Sequence, residues 1–325
     1  MKKILVAFGL CLVAVNAFAL DDIDVQLNQT RVACSGISEM MADLKSGAGL
    51  NAVVTGAGAV AGGVALGAGL AKANTDSEIE QMELSLAKLE EKQKSVVKKY
   101  DKIVLDGWDV MQQKCETLIS LSKDVQSVDK EKIDMQNKIN AATDKSKSLG
   151  DLRTGAMAGA AVTDTVGTVL AANNRVDDDL QLKIKSCVSS VNQLKAAYNM
   201  ARVEGGVDDV TLRKIADITQ ACSEWKNVDL SGINSKSTGA AVSGGTGAAL
   251  ALAGMFTSAS ANSDAVRNNN SDEGKAKEKN LNNASNVLAG GSAVASVVST
   301  VFSATQISAI KRAVSVAEKC EEALK

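Results

Sequence analysis

The sequence predicts an all-α protein in which long charged helices join four Gly/Ala-rich helices packed as a tight bundle, one that could span a membrane. The 325-residue chain contains no proline, whereas average usage would give about 16. Since proline interrupts helices, its absence favours long uninterrupted ones. Aromatic residues make up only 2% of the chain, so the core must form from small and aliphatic side chains on closely spaced helices.

The N-terminus has the features of a signal peptide over residues 1–19. Lys2 and Lys3 precede the apolar run ILVAFGLCLVAV, and residues 17–19 have the A-x-A form of a cleavage site. An uncleaved membrane anchor is the alternative. Cys11 lacks the small preceding residue of a lipoprotein signal. We therefore expect export, with a mature chain that begins at Leu20.

Four stretches follow that are almost free of charged residues, at 46–71, 154–174, 237–263 and 280–310. Their one charged residue is Asp164 in the second stretch, and they are called the uncharged stretches below. Each is about 20 residues or longer, enough to span a bilayer. Small residues recur in them at spacing four, which indicates a small-xxx-small helix contact. A soluble bundle with an Ala/Gly seam is the alternative, and part of the third stretch also fits a flexible linker.

Close helix contact would offset the low helix propensity of glycine, about 1 kcal/mol relative to alanine. The glycines predicted to lie at helix contacts are Gly63, Gly67, Gly155, Gly159, Gly167, Gly245 and Gly291.

The charged region at about 75–149 has apolar residues at the a and d positions of a heptad repeat, from Ile79 to Ala142. The pattern slips by four residues near Gly107, so either a rod with a stutter or an antiparallel hairpin is possible. In the next polar region, Gly205-Gly206 separates two helices, and Asp208 or Asp209 caps the second.

The predicted order along the chain is a signal peptide (1–19), an N-terminal helix (20–45), Gly-zipper helix 1 (46–71), a charged coiled-coil region (72–153), Gly-zipper helix 2 (154–174), a helical hairpin with Cys187 and Cys222 (175–236), a Gly/Ala-rich hairpin of helices 3 and 4 (237–310) and the end of a C-terminal helix (311–325).

The cysteines predict two disulfides, because an exported chain lies where disulfides persist. Cys187 and Cys222 come level in an antiparallel hairpin, so we expect them to pair, which leaves Cys34 with Cys320. If all four stretches span, these four cysteines share one side of the membrane. Cys115 then lies alone on the other side, as a reduced thiol.

No catalytic, cofactor or metal site is predicted. The chain lacks histidine, the usual general base and metal ligand. Its net charge of −2 provides no basic surface for nucleic acid. The acidic run VDDDL at 176–180 is typical of a helix N-terminus rather than a cation site.

We expect an exported, non-enzymatic structural or interaction protein of the bacterial cell envelope, at the inner membrane or in the periplasm. Its expected partners are membrane lipid and either another protein or a second copy, contacted through 75–149. One alternative is a secreted pore-forming or membrane-remodelling protein that inserts its apolar hairpin. The other is a soluble periplasmic helical bundle that binds a partner.

Overall fold

Helices account for nearly all of the chain that the computed structural model describes, which is residues 23–105, 108–204, 207–267 and 271–325, and no strand occurs in these ranges. The predicted signal peptide, Gly107 and Gly205-Gly206 lie outside the described residues. The helices are α1 (23–34), α2 (Ile37–Leu105), α3 (Trp108–Gln113), α4 (Cys115–Asn173), α5 (Asp178–Glu204), α6 (Asp209–Ser223), a 3-10 turn (Glu224–Asn227), α7 (Leu230–Ala261), α8 (Asp264–Arg267) and α9 (Asp272–Ala323).

The four uncharged stretches are helical, in α2, α4, α7 and α9. The linker interpretation of the third stretch is therefore wrong, since α7 runs through it without a break. The predicted N-terminal helix is interrupted at Gly36, whose φ of 74° lies in the left-handed region that favours glycine. This turn separates α1 from α2.

The chain forms two compact units. The first contains the described residues up to Ala59 together with Val162–Ala248 and Val294–Lys325, and is called the cysteine unit below. The second contains Val60–Ala161 and Ala249–Ala293, and is called the hairpin unit. Each of α2, α4, α7 and α9 contributes residues to both units.

An apolar cluster from α1, α2, α5, α6, α7 and α9 forms the core of the cysteine unit. Its fully buried members include Ile37, Met41, Leu180, Leu194, Ile215, Ile218, Ile233 and Ile310. The α6 helix begins at the cap residue Asp208, whose carboxylate accepts hydrogen bonds from the Thr211 hydroxyl and from the backbone N–H groups of Thr211 and Val210. These bonds, the one from the Thr211 hydroxyl first, lower the pKa of Asp208.

Two disulfides lie in this cluster, between Cys34 and Cys187 and between Cys222 and Cys320, with Cα–Cα distances of 4.7 and 4.6 Å. The predicted pairing of Cys187 with Cys222, and of Cys34 with Cys320, is therefore wrong. Equal distances from a turn specify the height of a residue along a hairpin, but not the helix face on which it lies. A disulfide requires both.

The hairpin unit contains an antiparallel pair formed by the second part of α2 and the first part of α4. Gln93 contacts both Asp129 and Lys132, and Asp76 accepts a hydrogen bond from Ser146. In each pair the two residues lie at about the same distance along the chain before and after α3, as in an antiparallel hairpin. The hairpin interpretation therefore holds, and the single-rod one is wrong. Most of the predicted a and d residues are buried or half-buried, and Tyr100 is an exposed exception.

Candidate functional site

The uncharged stretches carry most of their large apolar side chains on the outside. Val60, Val162 and Val294 lie near the middle of three of these stretches, and their exposed fractions are 68%, 65% and 64%. The other exposed large apolar residues of the four stretches are Leu50, Val53, Val64, Leu70, Val166, Val169, Val242, Leu252, Phe256, Val287, Val297, Val298, Val301 and Phe302. Singly exposed apolar residues are ordinary and also occur outside the stretches, as at Val203 and Val210, but a dense set along four helical stretches is not ordinary.

The same stretches bury polar side chains. In the cysteine unit, the fully buried polar residues of these stretches are Asn51, Thr55, Asp164, Ser237, Ser296, Ser299, Ser303 and Gln306. In the hairpin unit, Ser258 and Ser285 are fully buried, as are Lys72 and Arg153 directly beside the stretches. The buried positions of these stretches thus hold mostly small and polar residues while most large apolar ones lie outside, unlike the apolar interior and polar exterior of a usual water-soluble helix.

Asp164 is the one ionisable residue within the uncharged stretches, and it is fully buried in the cysteine unit. Its Oδ2 accepts a 2.6 Å hydrogen bond from Ser296 Oγ of α9, whereas its Oδ1 has no hydrogen-bond partner among the described residues. A Cβ at Gly58 of α2 would collide with Oδ1, and one at Gly247 of α7 would lie 2.6 Å from Oδ2. Two glycines therefore make room for the carboxyl group between four helices.

Further hydrogen bonds join the same helices in the cysteine unit. Asn51 Nδ2 donates to Ser303 Oγ at 2.6 Å, and Thr300 donates to Thr55 at 3.1 Å. Gln306 Nε2 donates to the backbone carbonyl of Asn174, directly after α4, at 2.8 Å. Asn51 Oδ1 and Gln306 Oε1 have no partner in the described part of the chain. Polar groups therefore lie on the buried faces of these stretches, and some of them have no hydrogen-bond partner in the described residues.

Arg153 is fully buried in the hairpin unit and is held by neutral oxygen atoms. Its Nε donates to Ser258 Oγ at 2.9 Å, its Nη1 to Asn286 Oδ1 at 3.1 Å and its Nη2 to Asn282 Oδ1 at 2.8 Å. Each guanidinium nitrogen therefore has an acceptor, as a buried arginine requires.

Lys72, also fully buried, forms ion pairs with Asp76 at 2.7 Å and with Glu278 at 3.3 Å. A buried charge is tolerated when it is paired in this way. Lys72 and Arg153 thus lie directly beside the uncharged stretches rather than within them.

Four of the seven glycines predicted at helix contacts do not face a neighbouring helix with the side where a Cβ would stand. A Cβ added at Gly63, Gly67, Gly155 or Gly159 would meet nothing within 4 Å among the described residues, so the prediction is wrong for these four. The other three face a neighbouring helix: Gly167 faces Thr55, Gly245 faces Thr168 at ordinary van der Waals distance, and Gly291 faces Leu250.

The error has a geometric cause. Steps of four residues advance by more than one turn of 3.6 residues, so such a series drifts around the helix. The buried positions instead advance alternately by three and four residues, which keeps them on one face. From residue 146 to the end of the second stretch this series is 146, 150, 153, 157, 160, 164, 167, 171 and 174, and Ala161 is buried in addition.

The sulfur atoms of Cys34, Cys187 and Cys320 lie within 4.8 Å of one another. Because these cysteines are in disulfides, they offer no thiolate to a metal ion. Cys115 is the free cysteine of the described residues, and it is exposed at the start of α4.

Four helical segments of the described chain are long and apolar enough to cross a membrane, judged by length and composition: Ile23–Leu105, Cys115–Val203, Asp209–Ala261 and Asp272–Ala323. They contain the four uncharged stretches. Comparisons of the chain with protein-family models, with curated proteins and with solved structures find no match.

Proposed function

We propose that this chain is an exported, non-enzymatic protein of the bacterial cell envelope whose four uncharged helical stretches span a membrane. The observation that carries the proposal is this distribution of side chains, with most valine, leucine and phenylalanine residues of the stretches outside and alanine, serine, threonine, asparagine and aspartate inside. Its proposed role is structural, with lipid around the stretches and a protein partner or a second copy on the charged region 75–149.

A lipid environment explains the exposed apolar side chains of the stretches better than an aqueous one does. Full burial of a valine or leucine side chain stabilises a soluble protein by about 1.5–3 kcal/mol, and the four stretches forgo this gain at many positions. In a membrane, helices associate instead through close packing and interhelical hydrogen bonds. Close glycine contacts and buried hydroxyl and amide groups supply both interactions here.

The proposed topology has 20–45, 175–236 and 311–325 on the outer side, and 72–153 and 264–279 on the other. Parts of the outer segments share the apolar cluster that contains both disulfides. Parts of the other two segments also contact each other, as in the Lys72–Glu278 and Lys275–Glu83 ion pairs. Disulfides favour an oxidising compartment, and the proposed signal peptide at 1–19 supplies the route to it.

The decisive experiment replaces an exposed valine by lysine inside and outside the stretches. Val60→Lys, Val162→Lys and Val294→Lys each put a charge near the proposed bilayer centre, at a cost of about 2.5–3.5 kcal/mol on the insertion scale. We expect each variant to reduce the fraction of the chain that resists carbonate extraction from membranes. Val210→Lys is the matched control, because Val210 is 77% exposed on α6 outside the stretches.

A soluble bundle would tolerate lysine equally at all four positions, since each is open to solvent. Equal yields, together with release of the wild-type chain by carbonate, would therefore reject the membrane proposal in favour of a soluble periplasmic bundle. The secreted pore-forming alternative requires an apolar hairpin that is covered before insertion. Val242, Phe256, Val287 and Val301 are exposed on that hairpin, which gives this alternative less support.

A further inference from the structure

We propose that Asp164 is a reversible proton-binding site inside the membrane-spanning stretches, an inference that rests on the membrane location proposed above. A proton adds to the Asp164 carboxylate to give the neutral acid, and its release restores the carboxylate. The geometry leaves one oxygen for this reaction, because Oδ2 accepts the Ser296 hydrogen bond and Oδ1 has no partner in the described residues.

The surroundings of Asp164 favour a proton over a structural salt bridge. The parts of α2, α7 and α9 that pack against it, around Gly58, Gly247 and Ser296, belong to stretches without any ionisable side chain. No cation of these stretches can therefore compensate the carboxylate. An ionisable group that faces the interior of membrane helices without such a partner marks a functional site more often than a structural one.

Two glycines keep space free around the carboxyl group of Asp164. Gly58 faces Oδ1 and Gly247 faces Oδ2, and a methyl group at either position would occupy the volume next to an oxygen atom. A purely structural buried aspartate would instead be expected to have both oxygens hydrogen-bonded.

The test uses the full mature chain in liposomes of phosphatidylcholine and phosphatidylglycerol, treated with dicyclohexylcarbodiimide at a series of pH values. This reagent modifies the protonated acid, because the carboxylic proton moves to a carbodiimide nitrogen while the carboxyl oxygen adds to the carbodiimide carbon. Peptide mapping by mass spectrometry is expected to find the adduct on Asp164. Labelling should fall by about tenfold per pH unit once most of the carboxyl is ionised, and Asp164→Asn should abolish it.

Infrared titration of the same liposomes gives a second readout that does not depend on access of the reagent. The difference spectrum between the wild-type chain and Asp164→Asn should contain a protonated-carboxyl band that disappears as pH rises, because the subtraction removes the bands of the other acidic residues. Gly58→Ala should change the labelling of Asp164, whereas Gly49→Ala should not, since a Cβ at Gly49 meets nothing within 4 Å among the described residues.

The outcomes separate this inference from the membrane proposal. If the chain resists carbonate extraction but Asp164 shows neither the adduct nor the infrared band, the proton site is rejected and the membrane location stands. If carbonate releases the chain, the membrane proposal is rejected, and the proton site is rejected with it because it depends on that location. Protection of Asp164 from the reagent by added Na⁺ at constant pH would also overturn the proton site, because the carboxylate would then hold a metal cation.

Discussion

At the scale of single residues, the neighbouring glycines Gly62 and Gly63 have opposite environments. A Cβ at Gly62 would lie 3.0 Å from the Cα and 3.1 Å from the backbone N of Ala293, whereas one at Gly63 would meet nothing within 4 Å among the described residues. Backbone atoms cannot move aside as the end of a flexible side chain can. The pair therefore separates a contact glycine from a free one within a single turn of α2.

We expect Gly63→Ala to stabilise the protein by up to about 1 kcal/mol through helix propensity. Gly62→Ala should destabilise it, because overpacking typically costs about 1–3 kcal/mol. Thermal unfolding of the two variants in the same detergent, followed by circular dichroism, measures the difference. A Gly62→Ala variant that melts at or above the temperature of Gly63→Ala would show that α2 and α9 do not approach closely at this position.

At the scale of the helical elements, the hairpin of α2 and α4 depends on its heptad seam. Ile139 on α4 is only 7% exposed, while Ile133 on the same helix is 62% exposed. Ile139→Ala should lower the free energy of unfolding by about 2 kcal/mol or more, and Ile133→Ala should change it by less than about 0.5 kcal/mol. Denaturant unfolding of the full chain measures both, and similar effects of the two changes would contradict the antiparallel pairing.

The sequence predicted this seam because its a and d positions are apolar against a charged background, which is the ordinary signal of a heptad repeat. Along the uncharged stretches the same alternation of three and four residues continues, but its positions hold Ser, Thr, Asn, Gly and Ala. Apolar periodicity cannot detect a seam of that kind. The spacing of the glycines instead predicts a set that drifts around the helix and includes Gly63 and Gly155, which do not face a neighbouring helix.

At the scale of the whole molecule, the all-helical class followed from the missing prolines and the long uninterrupted patterns. In the sequence, Asp164 stands out only as the one charge within the uncharged stretches. Its place beside Gly58 and Gly247 depends on the register of three other helices, which a single sequence does not specify. The disulfide partners depended on helix faces in the same way, so the four cysteines could be selected but not correctly paired.

The proposed four-span topology makes a prediction about Cys115, the exposed free cysteine on α4. Because 72–153 would lie on the inner side of the membrane, an impermeant maleimide should label Cys115 only after intact spheroplasts are lysed. In a Val210→Cys variant, the new cysteine replaces an exposed residue of the outer segment 175–236 and should react before lysis. Labelling of Cys115 in intact spheroplasts that also label Val210→Cys would place both regions on the same side. Four membrane crossings would then be excluded.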